Sequence, residues 1–275
     1  MYALGIVGPE ATRAVGQLAG ALDGRTAVVR RLVEDGDGPR RGHLHADGGL
    51  RQVQASTTYN IGDGWDATSD VEMSLTDALD RLAPDHEYTL AVGFPDARIP
   101  QVTLGSVEAG DTLASAPDAA SLDVETVIER LHDRPEHETL ESLVAQVKAA
   151  PSADRAGAIA TFTGRVRARD SEEDAPTEYL EFEMYDGVAQ RTMRTIESEL
   201  EEREGVLEVA MHHRQGVIPD GEDIVFVVVL AGHREEAFET VSDGINRLKD
   251  EVPIFKKEVT AEETFWVHEA ERDGS

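Results

Sequence analysis

The stretch "DIVFVVVLAGHREEAFETVSDGINRLKDEVPIFKKE" (223–258) decides the fold of the second half of the chain. Its first ten residues, 223–232, are almost entirely apolar and predict a buried β-strand. A helix follows, in which Phe238, Val241, Ile245 and Leu248 are spaced as one apolar stripe that we expect to pack inward. Pro253 should end this helix, and Lys256 should lie on a return strand.

The segments on either side of this stretch predict an α+β domain. Strands are indicated at 157–164, 179–185 and 206–216, and a helix at about 188–204. Strands and helices that do not alternate strictly are typical of α+β layer folds. A proline-marked segment at 133–157, with one amphipathic helix, separates this part from the first half, so we predict domains at 1–134 and 135–275.

The first domain predicts a P-loop-like parallel α/β sheet with a degenerate loop. "YALGIVG" (2–8) indicates a strand, Pro9 a helix start, and "TAVVRRL" (26–32) a second strand; a helix at about 74–83 and strands at 88–94 and 100–105 complete the domain. A phosphate loop needs G-x-x-x-x-G-K-[ST]. The frame from Gly8 instead ends in Arg13, Ala14 and Val15, so we expect no nucleotide hydrolysis.

The amino-acid composition limits the classes of partner that we expect for this chain. With 55 acidic and 26 basic residues, the formal charge is −29, which disfavours nucleic acid and anionic membranes. Such a surface suits a halophilic cytoplasm, where salt screens its self-repulsion. No secretory leader or membrane span is indicated, so we expect a soluble, cytoplasmic protein. The chain has no cysteine, so any sulfur that it handles must be imported.

The basic residues suggest an anion site at element ends of the second domain. The chain has only four lysines beside 22 arginines, and three of the four lie at 249, 256 and 257. An exposed ion pair contributes only about 0–1 kcal/mol, and arginine supplies it equally well. The lysines therefore favour a chemical role, whereas any single arginine is better explained by pairing with a surface carboxylate. The candidates for a cationic pocket are Arg165, Arg167, His233, Arg234, Lys249, Lys256 and Lys257.

The histidines do not predict a metal site. "HLH" (43–45) has only a glycine-rich neighbourhood, and no HExxH spacing is present. One of His212 and His213 is better explained as a satisfied core or interface residue than as a ligand. We predict neither a metal nor a cofactor.

Five segments in order resemble the large, catalytic subunits of molybdopterin synthases over about residues 137–270. They are "GAIATFTGRVR" (157–167), "YLEFEMY" (179–185), "HHRQG" (212–216), "AGHREEAF" (231–238) and "KDEVPIFKKE" (249–258) followed by "FWV". The resemblance implies an α/β hammerhead fold and a homodimer within a heterotetramer. It also implies a ubiquitin-like partner whose C-terminal Gly-Gly thiocarboxylate supplies sulfur to cyclic pyranopterin monophosphate, forming the dithiolene of molybdopterin.

The resemblance assigns roles by position. Lys249 and Lys256 match the family's two pocket lysines, Arg167 its pocket arginine, and Phe162 an aromatic residue near the partner's tail. His233 and Arg234 match a substrate-contacting pair that reaches a neighbouring pocket in the family dimer. The alternative is a non-catalytic scaffold that binds a ubiquitin-like partner or the finished cofactor. More weakly, residues 2–8 and 92–104 resemble the P-loop adaptor associated with guanylation of molybdopterin, here suited only to docking or cofactor handover.

Overall fold

The computed structural model describes residues 1–32, 56–61, 65–169, 171, 175–260 and 264–267. The chain divides into two compact units. Unit 1 comprises Met1–Leu82 and His86–His137, and unit 2 comprises Ala83–Asp85 and Glu138–Ser275. The main passage from one unit to the other therefore falls between His137 and Glu138.

Unit 1 contains the parallel sheet that the sequence predicts. Its elements are β1 (Tyr2–Val7), α1 (Ala11–Ala21), β2 (Thr26–Arg30), β3 (Thr57–Ile61), β4 (Trp65–Ser69), α2 (Leu75–Leu82), β5 (Tyr88–Val92), β6 (Gln101–Leu104), β7 (Thr112–Ala116) and α3 (Val124–His132). Five strands run parallel in the order β2-β5-β1-β6-β7, while β3 and β4 form a separate hairpin. The buried strands read as apolar runs because parallel strands are covered on both faces. The finer description as a P-loop-like sheet stays a prediction.

The loop before α1 differs from the sequence prediction. The helix begins at Ala11, so Pro9 lies before the first turn rather than in it. Glu10 takes the cap position with a φ of 62°, an uncommon conformation for a residue with a side chain. Gly8, with a φ of 112°, passes so close to the Leu104 carbonyl that no side chain would fit there.

Unit 2 contains two antiparallel sheets and three helices in the described residues. Its elements are α4 (Leu140–Lys148), β8 (Ala158–Arg165), β9 (Thr177–Met184), α5 (Asp186–Glu201), β10 (Val206–His213), β11 (Gly216–Pro219), β12 (Asp223–Ala231), α6 (Arg234–Glu251), β13 (Ile254–Thr260) and β14 (Thr264–Val267). One sheet has the order β10-β12-β8 and the other β11-β9-β13-β14. The α+β prediction is confirmed, and the name hammerhead stays a prediction.

The sheet β10-β12-β8 is covered on both faces by helices. Side chains of α4 pack on one face with Phe226, Val228 and Leu230, and α5 and α6 pack on the other with Val225, Val227 and Val229. The strand β12 is therefore buried from both sides, as its continuous apolar sequence requires. This arrangement fixes the direction of α6 relative to the strands.

The predicted stripe of α6 is wrong at one position. Val241, Ile245 and Leu248 are buried, but Phe238 is 66% exposed. Ala237, four residues before Val241, occupies the inner face instead, because residues four apart share a helix face. At Gly244 the helix approaches the sheet so closely that an added methyl group would lie 2.9 Å from the Met211 side chain.

Candidate functional site

A cleft of about 760 Å³ opens in unit 2 where the ends of several elements converge. The end of β8 forms one wall, the last turn of α6 and the start of β13 form another, and β9 and β10 contribute the floor. Its lining includes Phe162, Gly164, Arg165, Arg167, Thr177, Leu180, Phe182, His213, Ile245, Lys249, Asp250, Ile254, Phe255, Lys256 and Glu258. Five of the eight predicted site residues are among them, namely Phe162, Arg165, Arg167, Lys249 and Lys256.

The two cleft lysines come together because α6 ends abruptly. Its last helical residue is Glu251, and Val252 is already extended, with φ −83° and ψ 123°, as is usual for a residue before proline. The chain turns at Pro253 and enters β13, so Lys249 in the last helical turn and Lys256 on the strand both line the cleft. A cation in the last turn also interacts favourably with the helix dipole.

The two lysines differ in burial but share one electrostatic property. The side chain of Lys249 is exposed, whereas Lys256 is half-buried. Within the described part of the chain, neither amine lies within 4.0 Å of a carboxylate oxygen. Both charges are therefore available to an anion in the cleft.

Lys257 lies on the opposite face of β13. Successive residues of a strand alternate between faces, so Lys256 and Lys257 point in opposite directions. The Lys257 amine donates to Oε2 of Glu181 at 2.9 Å, and this hydrogen bond raises the pKa of Lys257. The structure thus places this predicted site residue outside the cleft.

Arg165 and Arg167 have different surroundings. Arg165 pairs through Nε with Oδ1 of Asp223 at 3.0 Å and also donates to the Gly221 carbonyl, so it ties the end of β8 to the start of β12. Arg167 follows the buried Val166, whose backbone is hydrogen-bonded to Gly221 and Glu222. This anchoring holds the exposed Arg167 at the cleft wall.

His233 and Arg234 lie at the other end of α6. They stand at the helix start, whereas Lys249 is in its last turn, so about 22 Å of helix separates the two positions at about 1.5 Å per residue. A single chain does not bring the His-Arg pair to its own cleft.

Sequence reasoning missed most of the cleft floor. Leu180 and Phe182 face inward from β9, and the alternating pattern of 179–185 already separated them from Glu181 and Glu183. Glu258 accepts a hydrogen bond from the Thr177 hydroxyl at 2.6 Å. His213 is 7% exposed, and its Nδ1 donates to the Arg214 carbonyl at 2.7 Å. It is the satisfied histidine that the sequence predicted, but it also lines the cleft.

Comparison with known proteins shows the family of this chain. The family model described as MoaE protein matches residues 135–251. A relative from Haloferax volcanii named "Probable molybdopterin synthase" is 52% identical over 269 residues, which cover 98% of this chain and 100% of that protein. The chain belongs to the molybdopterin synthase family. This family acts in molybdenum cofactor biosynthesis, and the alignment with the relative spans both units.

Two further members of the molybdopterin synthase family each match less than half of this chain. The molybdopterin synthase catalytic subunit of Pyrococcus abyssi is 36% identical and covers 49% of this chain and 86% of its own length. The crystal structure of molybdopterin synthase from Staphylococcus aureus is 32% identical, with a TM-score of 0.40, covering 42% of this chain and 82% of that one.

The metal and membrane predictions can be compared with the structure only in the described residues. Among the described residues, no group of three or more histidine, aspartate or glutamate side chains could hold a metal ion. No helix in the same residues is long and apolar enough to cross a bilayer. The "HLH" segment at 43–45 lies outside the described residues.

Proposed function

We propose that this chain is the catalytic subunit of a molybdopterin synthase. In this proposal it transfers sulfur from the C-terminal thiocarboxylate of a small ubiquitin-like partner to cyclic pyranopterin monophosphate, forming the dithiolene of molybdopterin. The observation that carries the proposal is the pair of amines, Lys249 and Lys256, that line one cleft of a chain with four lysines and a charge of −29.

The electrostatics of the cleft support two anionic reactants. A thiocarboxylate and a phosphate repel each other, and fixed cations around them offset that repulsion at no cost of reorganisation. Lys249, Lys256 and Arg167 supply such cations, while Arg165 is partly neutralised by Asp223. Asp250 and Glu258 also line the cleft, and Glu258 is engaged by Thr177. Among the described residues, the positive charge of the cleft that no carboxylate neutralises is thus that of Lys249 and Lys256.

The size of the cleft suits a small molecule together with an extended tail. Small-molecule sites commonly enclose about 300–1,000 Å³, and this one encloses about 760 Å³. Phe162, Phe182 and Ile245 give it apolar surface beside the cations. A pterin ring would contact this apolar surface while its phosphate met the amines.

The chain's own residues can assist each transfer without supplying sulfur. In each transfer the thiocarboxylate sulfur forms a bond to a carbon of the pterin side chain, a carbon–oxygen bond at that carbon breaks, and water then cleaves the acyl–sulfur bond, so the partner leaves as a carboxylate. Because the chain has no cysteine, no thiol of its own can carry the sulfur between these steps. A lysine amine can hydrogen-bond a departing oxygen and donate a proton to it.

The predicted assembly gives His233 and Arg234 a place in this proposal. In a homodimer within a heterotetramer, the pair at the start of α6 would contact substrate in the cleft of the second copy. Their position far from Lys249 in the same chain is compatible with that role.

Single-turnover conversion of the cyclic pterin by thiocarboxylated partner tests the proposal. Lys249→Arg and Lys256→Arg each keep the charge but replace a compact amine by a planar guanidinium. We expect each to slow dithiolene formation by at least ~10²-fold, which is the lower range for losing a positioned acid–base or electrostatic group. Lys148→Arg, at the end of α4, is the matched control and should leave the rate unchanged.

Binding measurements separate the enzyme from the alternative scaffold. Affinity for the Gly-Gly partner should persist in all three variants, because we expect a folded partner to contact much surface outside the cleft. Near-normal rates for both cleft variants would contradict catalysis by the lysines and favour a scaffold for the partner or the finished cofactor.

A further inference from the structure

The aromatic ring of Phe182 lies beside Lys256 in the floor of the cleft. Phe182 and Lys256 are directly opposite each other on the antiparallel strands β9 and β13, so their side chains emerge on the same face. Phe182 is 5% exposed, and both residues line the cleft. The ring therefore limits the positions open to the Lys256 side chain.

Support for the Phe182 ring comes from outside its own sheet. Its neighbour on the other side, on β11, is Gly216, which has no side chain to pack against it. His213, three residues earlier on β10, takes that place. The two rings meet in a T-shaped arrangement with centroids 4.8 Å apart and planes 71° apart, a favoured geometry for aromatic pairs.

The His213 ring is itself fixed by the backbone. Its Nδ1 donates to the Arg214 carbonyl at 2.7 Å, and the Arg214 amide donates to the Ile224 carbonyl. The Arg214 guanidinium donates to Oε2 of Glu222 at 3.0 Å and to the Asp223 carbonyl at 2.9 Å. The orientation of His213 therefore depends on the rigid β10–β12 pair.

From this chain of contacts we infer that His213 is a positioning residue that acts through Phe182 to hold the Lys256 amine in its reactive place. The inference rests on the proposed sulfur transfer for its effect on rate, but the contacts it describes exist without substrate. His213 needs to touch neither reactant. Small displacements of a reacting group of about 1 Å cost up to about 10²-fold in rate.

Three variants of His213 test which property matters. His213→Ala removes ring and donor, His213→Asn keeps a donor near the position of Nδ1, and His213→Phe keeps a ring against Phe182. At saturating partner and pterin we expect single-turnover rates about 10-fold lower for the alanine and asparagine variants. The phenylalanine variant should recover to within about 3-fold of the parent. A phenylalanine variant as slow as alanine, at an equal melting temperature, would overturn the proposal and point to direct action of the imidazole.

A double variant distinguishes positioning from a direct role. If His213 acts through Lys256, His213→Ala should add no further loss in a Lys256→Arg background, because residues acting as a unit are not additive. A full further 10-fold loss in that background would contradict the inference.

The scarcity of lysine permits a test that needs no activity. Selective isotope labelling of lysine gives four sets of side-chain signals, one each from Lys148, Lys249, Lys256 and Lys257. In the full chain, His213→Ala should move the Lys256 methylene resonances, because the neighbouring ring turns, and leave those of Lys148 in place. Unmoved Lys256 signals would refute the positioning role, whereas failure of sulfur transfer in the parent chain would refute only the proposed function.

Discussion

Lys256 and Lys257 show how much one position along a strand can decide. They are neighbours of the same type, yet one lines the cleft and the other pairs with Glu181 on the opposite face. Strand alternation puts the two lysines on opposite faces, but the sequence could not tell which of them faces the cleft, because that depends on the register of β13 with β9. That register is set by contacts about 75 residues apart in the chain.

Replacement of Lys257 should therefore have little effect on catalysis. We expect Lys257→Gln to change the single-turnover rate by less than about 3-fold and to leave stability nearly unchanged, because an ion pair close to the solvent contributes little to stability. Quenched single-turnover assays measure the rate, and chemical denaturation measures the stability. A loss comparable to that of Lys256→Arg would show that the lysine acts on substrate, as the sequence suggested.

Helix α5 carries two carboxylates that serve an edge strand. Oε1 of Glu197 accepts the Met211 amide at 2.6 Å, and Oε1 of Glu201 accepts the Val209 amide at 2.9 Å. Burial raises the pKa of Glu197 from 4.5 to about 7, and the bond from Met211 only partly opposes this. Glu201 and Glu208 raise the pKa further, and Arg194 lowers it.

The raised pKa predicts how stability depends on pH. Between pH 4.5 and about 7 the folded chain holds a proton on Glu197 that the unfolded chain has released, so its contribution to stability is lost as pH rises through this window. Glu197→Gln keeps an acceptor for Met211 and removes the charge. We expect it to stabilise the chain by about 1–3 kcal/mol at pH 8 and by little at pH 5.

The control for this measurement lies on the same helix end. Glu202→Gln changes an exposed carboxylate just after α5, and denaturation midpoints at both pH values should move by less than the equivalent of about 0.5 kcal/mol. Equal midpoints for parent and Glu197→Gln at pH 8 would exclude a costly buried charge at this site.

Element prediction succeeded where patterns were long and failed where segments were short. The helix α6 and the strand β12 are strongly periodic or continuously apolar, and both appear close to their predicted bounds. β7 and β11 have only five and four residues, too few to show a clear pattern, and neither was predicted. α3 was also missed. Within the site, the lysines could be predicted because lysine is rare in this chain. Phe182 and His213 could not be told from other core residues, because their contact joins strands of two different sheets.

The charge of the whole chain sets its response to salt. At −29, self-repulsion destabilises the folded state when salt does not screen it. We expect the melting temperature to fall by at least about 5 °C between molar and ~0.1 M potassium chloride. An uncharged osmolyte at matched osmolality should not replace the salt. An unchanged melting temperature would contradict the expected halophilic adaptation.

Salt that screens this repulsion also removes the force that keeps copies of the chain apart, so aggregation must then be resisted by other means. A sheet edge with vacant amides is a template on which another strand can grow. On β10 the Val209 and Met211 amides are already occupied by Glu201 and Glu197. The carboxylates of α5 thus block this sheet edge against pairing with another chain. They do so through directed hydrogen bonds rather than through net charge. Concentrated salt weakens the long-range electrostatic repulsion between chains but leaves these hydrogen bonds in place.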